Sequence, residues 1–295
     1  MREEIERFIK ESVERCGYKG VVVGVSGGLD SAVVLALCCS ALGRERVLGL
    51  ILPERDTPKD AVKNAVNLCE RLGIEYEVRS ITPILRKIGV YGLFPPKAFF
   101  PERVVVNYVL GKWRKLSKDP FLDDLRDSGP AEFLRGLAFY RIKHRVRMCL
   151  LYFEAEKRGY AVVGTTNKTE YLVGLYVKWG DEASDLEPIV HLYKTQVYEL
   201  ARELDIPESI LKRPPSPDLI PGLTDEFVLG MSYAELDRIL SKLERGEDTF
   251  GEDPQKVERV REMLKLSRRR RERPIRFGRI SLGEEGEGRV WKTES

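Results

Sequence analysis

The stretch Val21-Val22-Val23-Gly24-Val25-Ser26-Gly27-Gly28-Leu29-Asp30-Ser31 constrains this chain more than any other. Every position from Val21 to Val25 is apolar or small, the pattern of a strand buried on both faces, and such strands belong to parallel sheets covered by helices. The glycines then turn the chain into a run of small and apolar residues, Ala32 to Leu42, that reads as a helix. The rhythm recurs. Val47 to Leu52 and Tyr160 to Gly164 are further buried strands, and Tyr76 to Ile81 is a third candidate. Asp60 to Leu72 forms a helix with Ala61, Ala65 and Leu68 on one face, and Ile5, Phe8, Ile9 and Val13 give an amphipathic lead helix. Strands alternating with helices over short connections imply right-handed crossovers and an α/β fold: a parallel sheet with helices on both faces.

Composition narrows the function. Lys plus Arg exceed Asp plus Glu by only 3 in 295 residues, too small a basic excess for a protein that coats nucleic acid. A hydrophobic content of 42% supplies a core and excludes global disorder. No apolar run approaches the roughly 18 residues of a membrane span, and a leader charged from its second residue argues against a secretory signal. Five cysteines without paired spacing (Cys16, Cys38, Cys39, Cys69 and Cys149) fit buried thiols in a reducing cytoplasm. Charged residues make up 33%, while the thermolabile amides are only Gln196, Gln255, Asn64, Asn67, Asn107 and Asn167, a bias that high growth temperature selects.

From about 89 to 129 the rhythm breaks into aromatics, prolines and the basic cluster Lys112-Trp113-Arg114-Lys115. A structureless loop of that length is unusual in a compact domain, so short helices forming a lid or subdomain are expected. Ala131 to Arg158 reads as one long helix, Lys194 to Leu204, Tyr233 to Leu243 and Gln255 to Arg271 as shorter ones. The Pro214-Pro215-Ser216-Pro217 run marks a rigid loop. The division is thus a domain over 1–275, interrupted at about 89–129, followed by a polar tail over 276–295.

A helix N-terminus directly after a strand offers unpaired amides and the positive end of a dipole, which suit a phosphate. Gly27 and Gly28 let the backbone approach an anion, Ser26 and Ser31 add hydroxyl donors, and Asp30 is an oxygen ligand suited to Mg²⁺ on a pyrophosphate. The blander alternative is a tight turn with a capping acid. No lysine follows the glycines, so this is not the loop of ordinary P-loop nucleotidases. It resembles the SGGxDS loop of the N-type ATP pyrophosphatases, which cleave ATP between the α and β phosphates and leave AMP on an acceptor.

Gly164-Thr165-Thr166-Asn167-Lys168-Thr169-Glu170 ends another buried strand. Parallel strands present their ends to one crevice, which brings Glu170 and Asp30 toward one metal ion. Further on come Lys178-Trp179-Gly180-Asp181, Asp185, Leu192 through Ala201, Pro214-Pro215-Ser216, Gly222 through Glu226 and Leu229 through Asp237. With Arg145-Val146-Arg147-Met148, these segments resemble the ammonia-dependent NAD synthetases over residues 1 to about 88 and 140 to about 275.

That resemblance implies an adenine-nucleotide alpha-hydrolase-like fold, and synthesis of NAD from deamido-NAD, ATP and ammonia through an adenylated carboxylate. Ser26, Gly27, Gly28, Leu29, Asp30 and Ser31 would hold ATP together with Thr165, Lys194 and Ser216. Asp30 and Glu170 would bind Mg²⁺ and, with Lys194, carry catalysis. Arg145, Lys178, Asp185, Arg269 and Arg270 would contact deamido-NAD. A lysine is more often a solvated surface residue, and only motif context argues otherwise for Lys178 and Lys194. The resemblance also implies a homodimer; ammonia would arrive free or from a separate glutaminase, since only some two dozen residues precede the loop.

The chain departs from the family pattern at Glu182 (Gly), Arg141 (Asn), His144 (Ala) and Leu223 (Gln), and carries Arg268-Arg269-Arg270-Arg271 where a His-Lys pair is usual. A paralogue adenylating another acceptor, such as a tRNA base, is therefore the alternative. In that case the insertion and the arginine run would be an RNA surface, against the simpler reading of a solvated lid and a cation-rich helix end. A nucleotide sensor without turnover is a third reading. His144 and His191 read as surface or packing residues.

Overall fold

The computed structural model describes residues 1–93, 116–216 and 224–272. Lys112–Lys115, Pro217, Leu223 and the tail over 276–295 lie outside the described residues.

Four strands, β1 (Gly20–Gly24), β2 (Val47–Ile51), β3 (Glu75–Val78) and β4 (Tyr160–Val163), form one sheet in the order β3-β2-β1-β4. All pairings are parallel, with Val21 opposite Val47 and Val23 opposite Val163. Strand periodicity divides the core. Val21 and Val23 face a layer built from α1 (Arg2–Arg15), α2 (Leu29–Leu42), α3 (Lys59–Leu72) and α8 (Lys194–Glu203). Val22, Leu48 and Leu50 face the opposite way, onto Leu85 of α4 (Thr82–Lys87) and Val146 and Ala155 of α6 (Ala131–Arg158). A separate apolar cluster joins α5 (Pro120–Arg126) to α7 (Lys168–Val173), α10 (Asp225–Leu229), α11 (Tyr233–Glu244) and α12 (Pro254–Arg271). α9 spans Glu208–Leu211. The parallel sheet with helices on both faces, and a helix within the inserted stretch, are as the sequence implies.

Several boundaries shift for local reasons. α2 begins at Leu29, not Ala32, because the turn is complete at Gly28 and Asp30 suits a first helical turn. The third strand stops at Val78, since Ile81 caps α4, whose first turn holds Pro83. Phe8 is 44% exposed although Ile5, Ile9 and Val13 are buried, so the stripe of α1 is narrower than its apolar content suggests. Buried thiols hold for Cys38 and Cys69. Cys16 is exposed because it stands just beyond the end of α1, and Cys149 lies on an exposed side of α6.

A charge cluster fastens β3 to α6. Glu154 is fully buried and accepts from Arg79 (2.8 Å), Lys157 (2.9 Å) and Arg158, while Arg158 also reaches Glu77 (3.1 Å). Burial works to raise the Glu154 carboxyl, but these cations prevail and hold it down at about 2. A folded-state value below the ordinary 4.5 favours the native form above that pH, and the advantage disappears as pH falls toward about 2. Urea midpoints measured between about pH 5 and 2 should therefore decline. Glu154→Gln should be less stable at neutral pH and show a shallower decline.

Candidate active site

The chain after β1 turns sharply at Gly27, whose φ of +79° is left-handed, and a Cβ there would lie 2.1 Å from the Ala61 carbonyl oxygen of α3. Only glycine permits that approach. The loop is pinned by its own serines. Ser31 Oγ donates to the Gly28 carbonyl (3.1 Å), and Ser26 Oγ, 3.1 Å from Ser31 Oγ, accepts from Gly28 N–H (3.2 Å). This aims the N-terminus of α2, a helix of 14 residues, across the end of the sheet.

β4 lies beside β1, so its following loop reaches the same edge. Asn167 caps α7 in a reciprocal box: its Oδ1 accepts from Glu170 N–H (3.0 Å), and Glu170 Oε2 accepts from Asn167 N–H (3.4 Å). Asn167 Nδ2 then donates across to Asp30 Oδ1 (2.9 Å). Lys194 Nζ completes the meeting, 2.5 Å from Asp30 Oδ2 and 3.0 Å from Glu170 Oε1. The two carboxylates that the sequence places 140 residues apart thus share one ammonium.

Electrostatics follow burial. Burial raises the Glu170 carboxyl above its ordinary range, against the pull of Lys194. For Lys194 burial acts the other way, yet the carboxylates of Asp30, Glu170 and Asp225 outweigh it and raise the ammonium above the usual lysine range. Lys194 is no surface lysine, being only 2% exposed.

A cavity of about 400 Å³ opens over this trio, lined by Ser26, Gly28, Leu29, Asp30, Ser31, Thr165, Glu170, Lys194 and Ser216. Of the residues expected at ATP, Gly27 alone is turned away, toward α3. The residues expected at the dinucleotide divide. Arg145 Nη2 donates to the Lys178 carbonyl (3.3 Å), and Lys178 Nζ donates to the carbonyls of Glu272 and of Arg269 (3.5 Å) at the end of α12. Arg145, Lys178 and Arg269 therefore meet at one place, which does not line the cavity. Asp185 is set apart too, its carboxylate accepting from Val162 N–H (2.8 Å) and from Tyr152 OH (3.3 Å).

Arg270 does line the cavity, but its guanidinium is held by protein. It donates to the carbonyls of Gly174 and Tyr176 (3.1 Å) and to Asp124 Oδ2 (2.7 Å) on α5. Asp124 Oδ1 also accepts from Tyr140 OH (2.6 Å) and Arg141 Nη2 (2.7 Å). Arg271 donates to the Leu172 carbonyl (2.9 Å). The arginine run is therefore neither an open basic surface nor simply a solvated helix end: Arg270 and Arg271 hold backbone, while Arg268 and Arg269 are exposed.

The departures have local partners as well. Arg141 reaches Asp124 and Asp127 (2.5 Å), and Glu182 accepts from the N–H of Trp179 (3.2 Å), a residue in left-handed geometry. His144 lines the cavity, 3.6 Å from Asp181, and His191 is exposed.

Sequence reasoning passed over three members of the site. Asn167 was legible, because Asn-x-x-Glu before a helix is a capping signature. Asp237, buried, accepts from Thr169 Oγ1 (2.5 Å) and Thr195 N–H (2.8 Å), and Asp225 lines the cavity. Both stand in segments that carry the family resemblance, but no capping or spacing pattern marks either as a site residue.

The family model described as NAD synthase matches residues 1–94 and 125–274. An NH(3)-dependent NAD(+) synthetase of Thermotoga maritima is 70% identical over 281 residues, 95% of this chain and 100% of that one. One of Archaeoglobus fulgidus is 40% identical, over 92% and 94% of the two chains. Among solved structures, an NMN synthetase from Francisella tularensis is similar at a TM-score of 0.72 and 26% identity, covering 93% of this chain and 96% of that one. An NH3-dependent NAD synthetase from Campylobacter jejuni is similar at 0.69 and 26%, covering 94% and 97%. Matched over this much of its length, the chain belongs to the NAD synthase family.

Proposed function

We propose that this protein makes NAD from deamido-NAD, ATP and ammonia, as the names of its relatives suggest. A carboxylate is a poor electrophile because attack on it would expel oxide. Transfer of AMP creates a mixed anhydride with a good leaving group, and ammonia then displaces AMP to give the amide. The observation that carries the reading is the Asp30–Lys194–Glu170 trio facing the cavity at the N-terminus of α2.

The residues fit the chemistry of two polyanionic substrates. Helix α2 and its glycine loop offer amides to phosphate, and Lys194 offers a buried positive charge. Asp30 and Glu170 are oxygen donors already gathered about a cation, the arrangement Mg²⁺ takes when phosphates supply its remaining ligands. Bound there, Mg²⁺ would neutralise charge developing on the phosphates. Ser26 and Ser31 keep the loop in shape, while Asn167 fixes the relative position of the two acids. Ammonium becomes nucleophilic once it loses a proton to give ammonia, so the second step calls for positioning more than for a protein nucleophile.

Arg145, Lys178 and Arg269, meeting beside the cavity, are proposed for the acceptor along with Asp185 and Arg270. A homodimer, supply of ammonia free or by a separate glutaminase, and a cytoplasmic location complete the proposal. No described helix is long and apolar enough to cross a membrane.

The test is pyrophosphate release with ATP, Mg²⁺, ammonium and deamido-NAD. One NAD should form per pyrophosphate, with the mononucleotide analogue as a comparison acceptor. Release that requires tRNA, or nucleotide binding without release, would replace this reading by a tRNA-modifying enzyme or a sensor.

A further inference from the structure

Lys194 opens α8, and a lysine in the first turn faces the positive end of the helix dipole. It is also buried, where an ammonium forfeits its water. Both penalties are offset by the acids around it: Asp30 at 2.5 Å, Glu170 at 3.0 Å, and the field of Asp225 beyond. The start of α8 does not depend on that ammonium. Lys194 N–H donates to Thr169 Oγ1 (2.9 Å) and Thr195 N–H to Asp237 (2.8 Å), so the backbone is anchored separately. The flexible four-carbon stem can redirect its charge while the helix stays in place. The ammonium rests on the very oxygens of Asp30 and Glu170 that a divalent cation would take.

The geometry points to Lys194 as a stand-in cation: it holds Asp30 and Glu170 together and keeps free divalent metal off them until the phosphates of a nucleotide draw the ammonium away. This rests on the reading of Asp30 and Glu170 as metal ligands. Metal and nucleotide then enter together, because the phosphate oxygens give the displaced ammonium new acceptors. The exchange is one of ion pairs, with no covalent bond made or broken.

Mn²⁺ is the probe, titrated into the full-length protein without nucleotide, with free ion followed by electron paramagnetic resonance. Lys194→Met should bind one Mn²⁺ about 10–100-fold more tightly than the unaltered protein, the range over which neighbours of metal ligands act. Lys194→Arg keeps the charge and should bind as weakly as the unaltered protein. Equal affinity in the Met variant and the unaltered protein overturns the proposal, as does an equal gain in the Arg variant. A Met variant that folds only with Mn²⁺ present supports it. One that folds in neither condition counts against it, since a metal would then be unable to take the lysine's place.

The underlying ligand assignment is read separately. Asp30→Asn and Glu170→Gln, each with an ATP analogue blocked at the α–β bridge, should lose protein-bound Mn²⁺. If they keep it, the metal reading falls. If they lose it while Lys194→Met gains nothing, only the stand-in role falls.

Discussion

Asp30→Asn should lower the rate of NAD formation by about 10²–10³-fold, the scale on which a group aimed at developing phosphate charge contributes. The replacement keeps the shape of the side chain and removes one negative charge. Glu170 remains 3.0 Å from Lys194 and the core beneath the loop is untouched, so the variant should still fold, with a stability loss smaller than the loss of rate. Loss of rate without loss of fold is what separates a reacting-centre carboxylate from a capping acid in a tight turn. Steady-state rates over a Mg²⁺ series make the check. Full activity in the variant would return Asp30 to the structural role of the blander reading.

Asp124→Ala should destabilise the protein by about 3–5 kcal/mol, the cost of leaving a buried charge without its partner. Asp124 joins α5 to α6 through Tyr140 and Arg141 and to α12 through Arg270, which is 8% exposed. Arg141 retains Asp127 after the change, but Arg270 is left with backbone carbonyls alone. Asp124→Asn keeps the side-chain volume and one acceptor oxygen, enough for either Arg270 or the Tyr140–Arg141 pair but not both, and should lose less than the alanine variant. Urea unfolding of the two variants decides the matter. A loss below about 1 kcal/mol for the alanine variant would mean that the pair is screened as a surface salt bridge is. Arg141 thus has acidic partners of its own in Asp124 and Asp127.

Much of the site was legible locally. Five small and apolar residues before two glycines specify a buried strand and a tight turn, and the acid after them falls in a first helical turn. Asn167 and Glu170 announce a helix start by their spacing alone. The long helix Ala131–Arg158 has the limits read for it, because its N-terminal Pro130 and C-terminal Gly159 are punctuation that any sequence displays. Arg270 shows where local reading ends. At the cation-rich end of a helix it suggests a contact with solvent or anion, whereas folding commits it to Asp124, 146 residues away. Asp185 likewise stood in a motif suggesting a ligand, and its carboxylate is engaged by the backbone of β4.

By itself the sequence determined the class of fold, the order of strands and helices along the chain, and the phosphate-type loop, because hydrophobic period, glycine freedom and capping act within a few residues. Which charge neutralises which was decided by the tertiary structure. Asp30 and Lys194, 164 residues apart, meet because β4 is laid beside β1 and α7 and α8 both start at that edge of the sheet. Coulomb attraction falls with distance and grows with burial, and both quantities belong to the packed molecule and not to any segment of it.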